Sequence, residues 1–135
     1  MRLAAALVAA LFMQPADPAF RVLDRGGQSG IEDARQVVAT TADQFAALWR
    51  QHSQRPLPAV DLAKESVVGL FLGTRATAGY SVEVVSITRS ASGTLVRCRE
   101  VAPPPDGMTA QLLTFPYVIV AVEGLGLPVR FECAR

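Results

Sequence analysis

The chain is poor in the residue types that build metal centres and catalytic sites. Its 135 residues include one histidine, His52, two cysteines and one lysine. A zinc site built from histidine and cysteine needs four ligands, and a serine-histidine-aspartate triad would have only His52 to use. No set of nucleophile, base and acid has a recognisable spacing, so we expect neither an enzyme nor a bound metal or cofactor.

Net charge is also close to zero. Lys and Arg total 13 and Asp and Glu total 12, which gives +1 at pH 7. Such a balance creates no strong field to attract nucleic acid or an anionic membrane. Because half of the residues are hydrophobic, an intrinsically disordered chain is excluded. The composition therefore predicts one folded domain with no nucleic-acid partner.

The N-terminus has the pattern of a secretory signal. Arg2 precedes an apolar run from Leu3 to Met13, which is too short to cross a bilayer. We interpret residues 1–19 as the signal segment and residues 20–135 as a single mature domain without a membrane span. The protein is then expected to be exported, either to a periplasm or to the medium. The alternative is that the apolar run forms a buried helix of the domain.

One helix is predicted early in the chain. Thr41 and Gln44 have the spacing of a helix N-terminal capping pair. The residues that follow at helical spacing and share one face are Phe45, Leu48, Trp49 and His52. The helix is expected from Ala42 to Ser53, before prolines that cannot continue it.

The rest of the chain is predicted to be β-structure. The expected strands are Arg21–Leu23, Gln36–Ala39, Ser66–Leu72, Tyr80–Thr88, Thr94–Val101, Thr109–Val122 and Leu127–Cys133. The continuous apolar run of Ser66–Leu72 is typical of a central strand covered on both faces. Pro116 favours an edge strand or a bulge. The fold class is therefore α+β, with one N-terminal helix packed on a mainly antiparallel, curled β-sheet.

The two cysteines leave two interpretations open. Cys98 and Cys133 each lie on the apolar face of a predicted strand. In an oxidising compartment an even number of cysteines favours a disulfide. The alternative is a pair of buried free thiols that pack as small hydrophobic groups.

The loop Gly73–Tyr80 is the strongest candidate for a binding site. It is too long for a tight hairpin turn. It combines an arginine with five donors, glycines that allow close approach and a rigid tyrosine. The predicted partner-binding residues are Thr74, Arg75, Thr77, Gly79 and Tyr80. The alternative is a wide loop whose threonine hydroxyls bond its own backbone.

The segment from Phe71 to Val84 resembles the signature of the PrcB C-terminal domain family. Similar motifs occur in the same order at residues 27–31, 45–52, 58–62 and 114–117. Two residues depart from the family pattern, Ala76 for proline and Ala78 for glycine. The family takes its name from a subunit that accompanies an exported subtilisin-like protease. The resemblance therefore implies a non-catalytic, protein-binding role.

These observations predict an exported protein-binding module, an accessory or stabilising partner of a secreted or envelope protein such as a protease. Arg75 would pair with an acid of the partner. One alternative is a protease inhibitor, because Thr77, Gly79 and Tyr80 are similar to the loop of chagasin-type cysteine-protease inhibitors. Another is a small-ligand or glycan binder with a cleft lined by Tyr80, Tyr117 and Trp49. The role of the proline-rich segment near Met108 also stays open: it is either a connector or a second loop that contacts the partner.

Overall fold

The computed structural model describes residues 17–135 and contains one helix and seven strands in that range. The elements in chain order are β1 Phe20–Gly26, β2 Ala34–Ala39, α1 Ala42–His52, β3 Glu65–Leu72, β4 Ser81–Ser90, β5 Gly93–Val101, β6 Tyr117–Glu123 and β7 Val129–Ala134. The predicted signal segment lies almost entirely outside the described residues. Within residues 17–135, no helix has the length and apolarity needed to cross a membrane.

Helix α1 follows from local signals in the sequence. The Thr41 side chain accepts a hydrogen bond from the backbone N–H of Gln44, as the capping pattern predicts. The helix ends at His52, where the next residue turns to an extended conformation. Its apolar face is buried as expected. The helix is not N-terminal in the domain, because both strands predicted before it form, as β1 and β2, and each is longer than predicted.

The strands form two sheets, where the sequence led us to expect one. The first sheet has the order β1-β6-β3-β2, and the second has the order β4-β5-β7. All neighbouring strands are antiparallel except β5 and β7, which are parallel. The α+β class and the mainly antiparallel pairing are thus confirmed.

Strands β3 and β6 form the centre of the molecule. Val67 and Phe71 of β3 face the cluster that includes helix α1, whereas Val68 and Leu70 face the second sheet. Residues 117–122 of β6 are all buried; Tyr117 and Ile119 belong to the first cluster, and the three valines at 118, 120 and 122 belong to the second. The four-stranded sheet is therefore the middle layer, which explains why β3 is an uninterrupted apolar run.

The expectation that Pro116 marks an edge strand is wrong. The strand that follows it, β6, lies between β1 and β3 and is not an edge strand. The proline is tolerated because it precedes the first residue of β6, where no ladder N–H is required of it. Its carbonyl accepts a hydrogen bond from the backbone N–H of Leu72 at 3.0 Å.

The two cysteines are joined in a disulfide. Cys98 and Cys133 are directly opposite each other on the parallel strands β5 and β7. The Cys98 side chain belongs to the core between the sheets, whereas Cys133 is exposed at the edge of the second sheet. The bond therefore ties an edge strand to the core.

Candidate functional site

Arg75 lies at the base of the loop Gly73–Tyr80 and is held by a carboxylate of the same chain. Its Nε and Nη2 atoms donate to the two oxygens of Glu100 at 2.8 and 2.9 Å. Its Nη1 atom donates to the carbonyl of Leu72 at 3.0 Å. The hydrogen bonds from Arg75 lower the pKa of Glu100. Since its donors are used internally, we assign Arg75 to positioning the loop and not to contacting an acid of a partner.

A second segment, residues 102–116, lies along this loop. The backbone groups of Arg75 and Thr114 exchange two hydrogen bonds, at 2.8 and 2.9 Å. The backbone N–H of Ala78 donates to the carbonyl of Ala110 at 3.0 Å. We call residues 73–80 together with residues 102–116 the two-loop surface. Its halves are fixed to each other by main-chain bonds, so they present one shape.

Gly79 allows the two halves to approach. Its backbone has a φ of +97°, a conformation that residues with a side chain rarely adopt. A Cβ atom at this position would lie 2.8 Å from the Cβ of Pro103 and 3.2 Å from the Cγ2 of Thr109. Gly79 is therefore required by both backbone conformation and space, and its role is to shape the surface.

The threonines of the loop bond the backbone, which was the alternative interpretation of this segment. The Thr74 hydroxyl lies 3.4 Å from the carbonyl of Glu32, and the Thr77 hydroxyl donates to the carbonyl of Ala78 at 3.0 Å. Tyr80 is half-buried, with its ring 5.8 Å from the Arg75 guanidinium carbon. The predicted residues thus cluster, but few of their polar atoms are free.

The exposed apolar atoms come from the other half of the surface. Met108 is fully exposed, and Leu112 and Leu113 are 45% and 60% exposed. Sequence reasoning noted Met108 but missed the two leucines. Leucines at this point in the sequence looked like part of a strand, and only the strand's late start after Pro116 places them outside it.

A buried polar cluster that the sequence did not reveal surrounds His52. The Nδ1 atom of His52 lies 2.8 Å from the Ser29 hydroxyl, and its Nε2 atom lies 2.8 Å from a carboxylate oxygen of Asp24. The imidazole is fully buried and packs edge-on against Tyr117 at 4.3 Å between ring centroids. Three segments that are distant in the sequence therefore meet at one side chain.

Asp24 is the negative centre of this cluster. It also forms an ion pair with Arg55, the residue that lies three positions after the helix. Burial alone would raise the pKa of Asp24, but hydrogen bonds from His52, Arg55 and Tyr117 lower it below its usual value. The pKa of Tyr117 is raised to about 12, first by burial and then by the neighbouring carboxylate. Asp24 is thus held as an anion.

Serine, histidine and aspartate in contact invite comparison with a catalytic triad, but the arrangement differs in two ways. The serine contacts Nδ1 and the aspartate contacts Nε2, the reverse of the usual order. The Ser29 hydroxyl also accepts a hydrogen bond from the backbone N–H of Ile31. The whole Ser29 residue is only 6% exposed. A buried hydroxyl that holds a turn is better suited to structure than to nucleophilic attack, which needs access to substrate.

Two other kinds of site have little basis in the described residues. Within residues 17–135, no group of three or more histidine, cysteine, aspartate or glutamate side chains could hold a metal ion. Trp49 and Tyr117 are 4% and 5% exposed in the core on the helix side. They therefore do not form an open aromatic cleft with Tyr80, which the glycan-binding alternative requires.

Over residues 17–135 the structure thus defines a small α+β domain of one helix and two stacked sheets, with a shaped surface made of two loops. Residues 66–123 match the family model described as PrcB C-terminal, which confirms the resemblance read from the sequence. The match runs from the second residue of β3 to the end of β6 and includes all of the two-loop surface. Comparison with curated proteins gives no match, and comparison with solved structures gives none.

Proposed function

We propose that this protein is a non-catalytic binding module whose two-loop surface docks on another exported protein. The observation that supports it best is the exposure of Met108, Leu112 and Leu113 on a segment braced by main-chain hydrogen bonds. Large apolar side chains gathered on one exposed segment are typical of protein interaction sites. Methionine is also enriched at such interfaces.

The two halves of the surface are joined by internal hydrogen bonds, which lowers the entropic cost of ordering them on binding. Arg75 fixes one half through Glu100, and Gly79 lets the other half pack against it. In this proposal the loop 73–80 sets the shape, whereas residues 108–113 supply most of the contact area. Thr74, which is exposed, contributes at the rim.

A protease is the partner class that the family suggests. The PrcB C-terminal match points to association with a protease complex, and the N-terminal pattern points to export. We do not extend the proposal to inhibition of cysteine proteases. That activity needs a freely projecting loop, whereas the Thr77 hydroxyl is bonded to the carbonyl of Ala78 and the backbone of Gly79 lies against Pro103 and Thr109.

The first prediction concerns the apolar residues. Met108→Ser combined with Leu113→Ser is expected to weaken partner binding about tenfold or more, because interface energy concentrates in a few buried apolar side chains. The measurement is affinity capture from the native cell envelope, followed by titration of the retained protein. The lifetime of the retained protein against proteolysis would also be compared in the presence and in the absence of the module.

The matched control places two serines on other exposed apolar positions. Leu57 and Leu127 are 49% and 65% exposed and lie outside the two-loop surface. Leu57→Ser with Leu127→Ser should leave binding unchanged. Equal retention by both double variants would contradict the proposal.

The second prediction tests whether the ion pair of Arg75 and Glu100 stabilises the loop. Arg75→Ala and Glu100→Ala should each lower the free energy of unfolding by about 1–2 kcal/mol, since each leaves a partner without its bidentate contact. Because the two side chains act as one pair, the double variant should lose less than the sum. Urea unfolding of the four proteins measures this coupling. If the loss in free energy of unfolding of the double variant equals the sum of the two single losses, the pair does not brace the loop.

A further inference from the structure

The sulfur atoms of the described residues are in two different states. Residues 17–135 contain two cysteines and one methionine, Met108, because the other methionines of the chain precede them. Cys98 and Cys133 are joined in the disulfide, so neither carries a free thiol. Within this part of the chain, the thioether of Met108 is therefore the one sulfur that is neither a thiol nor part of a disulfide.

The Met108 side chain is open to solvent on a backbone that is fixed on both sides. The side chain is fully exposed, so a dissolved oxidant has access to its sulfur. Before it, the N–H of Gly107 donates to the carbonyl of Pro104 at 3.0 Å. After it, the carbonyl of Ala110 accepts from the N–H of Ala78 at 3.0 Å. A chemical change at Met108 therefore alters the surface and leaves the frame that holds it in place.

Met108 is also part of the apolar half of the two-loop surface. It shares one segment with the exposed side chains of Leu112 and Leu113. Burial of such side chains is what drives association at an apolar surface. A polar group added to Met108 would have to lose its water when a partner docks, which costs free energy unless the partner supplies a hydrogen bond.

We propose that Met108 is an oxidation site that controls docking at the two-loop surface. The inference rests on the proposed function and adds its regulation. The oxidant is a peroxide. An electron pair of the Met108 Sδ atom attacks one oxygen of hydrogen peroxide, an S–O bond forms, the O–O bond breaks, and the second oxygen leaves as water. Sulfur gives two electrons to the peroxide, and the apolar thioether becomes a polar sulfoxide.

The same exposure allows the change to be reversed. A reductase that uses a dithiol removes the sulfoxide oxygen as water, with two electrons and two protons supplied by the dithiol, which becomes a disulfide. The cysteines of this chain do not supply them, because Cys98 and Cys133 are already oxidised to each other. The two-loop surface then has an apolar form that docks and a polar form that docks weakly.

The first experiment locates the oxidation and needs no partner. The full protein is treated with hydrogen peroxide, and the oxygen gained is located by mass spectrometry of its peptides. We expect Met108 to gain one oxygen atom at close to the rate of free methionine, with no change in the urea midpoint of unfolding. Oxidation about tenfold slower than that of free methionine, or a lower urea midpoint, would overturn the proposal.

The second experiment measures docking of the envelope protein that the reduced wild type retains, after the peroxide has been removed. Oxidised wild type should bind it about tenfold more weakly, and treatment with a methionine sulfoxide reductase and a dithiol should restore binding. Met108→Leu is the matched control, because it keeps an apolar side chain without a sulfur atom. This variant should bind like the reduced wild type before and after peroxide.

The outcomes separate the regulation from the function that it acts on. Equal binding by oxidised and reduced wild type, or a loss of binding when Met108→Leu is treated with peroxide, would overturn the control by Met108 and leave the proposed function in place. If neither the reduced wild type nor Met108→Leu retains an envelope protein, the proposed function fails and the regulation fails with it.

Discussion

Replacing Asp24 with alanine should lower the free energy of unfolding by about 2–4 kcal/mol. The carboxylate accepts hydrogen bonds from His52 and Arg55 and is close enough to Tyr117 to raise its pKa. Alanine removes the acceptor that the buried imidazole N–H and the largely buried tyrosine hydroxyl face. Unpaired polar groups in a core are costly because water cannot replace the lost partner.

Asp24→Asn should have a smaller effect, because the amide keeps one acceptor oxygen but loses the charge. Urea unfolding at pH 7 compares the two variants with the wild type. Asp106→Ala, at an exposed position within residues 102–116, is the control and should change stability little. An effect of Asp24→Ala no larger than that of Asp106→Ala would show that the cluster does not stabilise the fold.

The same carboxylate makes stability depend on pH. Its pKa is lower in the folded protein than in the unfolded chain. Its contribution is therefore fully present above the unfolded pKa, about pH 4, and is lost as pH falls through the folded value. Asp24→Asn removes this contribution, so the variant should lose less stability than the wild type between pH 7 and pH 3. Parallel stability curves for the two proteins would contradict the assignment.

Local features of this fold could be predicted from the sequence. Helix α1 was predictable because its cap, Thr41 and Gln44, and its buried face lie within one short segment. Strand β3 was predictable as central because its apolar run requires cover on both faces. In both cases the pattern and the structure that it specifies are contiguous in the chain.

Long-range features could not be predicted. The parallel pairing of β5 with β7 joins strands separated by the whole of β6, so nothing near either strand indicates two sheets. The contact of His52 with Asp24 and Ser29 likewise joins residues 28 and 23 positions apart. No motif in the sequence placed a hydroxyl or an acid beside the histidine, and only the fold shows that Ser29 and Asp24 lie there.

For the loop 73–80 as well, the local pattern could be predicted from the sequence and the long-range contacts could not. Sequence reasoning found the segment 73–80 because glycine, arginine and tyrosine are grouped there. It assigned Arg75 to a partner because the carboxylate that binds it, Glu100, is on a different strand. A cluster of residue types can therefore locate a site, whereas the role of each residue depends on neighbours that the fold brings in.

The cross-link between β5 and β7 should contribute a large part of the stability of this small domain. Cys98 and Cys133 are 35 residues apart. For a loop of that length the chain-entropy model gives a stabilisation of about 3–4 kcal/mol. The strand it holds, β7, lies at the edge of its sheet and pairs with β5 alone. Loss of the bond should therefore loosen β7 first, although Val129 and Phe131 still pack against the core.

We expect the variant Cys98→Ala with Cys133→Ala to unfold at a lower urea concentration than the oxidised wild type, with a loss of about 3–4 kcal/mol. Wild type treated with a reducing agent should nearly match the variant, since both lack the cross-link. Hydrogen exchange should accelerate first at residues 129–134 and only slightly in β3, which is buried in the middle layer. If reduction leaves both the urea midpoint and the exchange of β7 unchanged, main-chain pairing with β5 and apolar packing hold the edge strand without the disulfide.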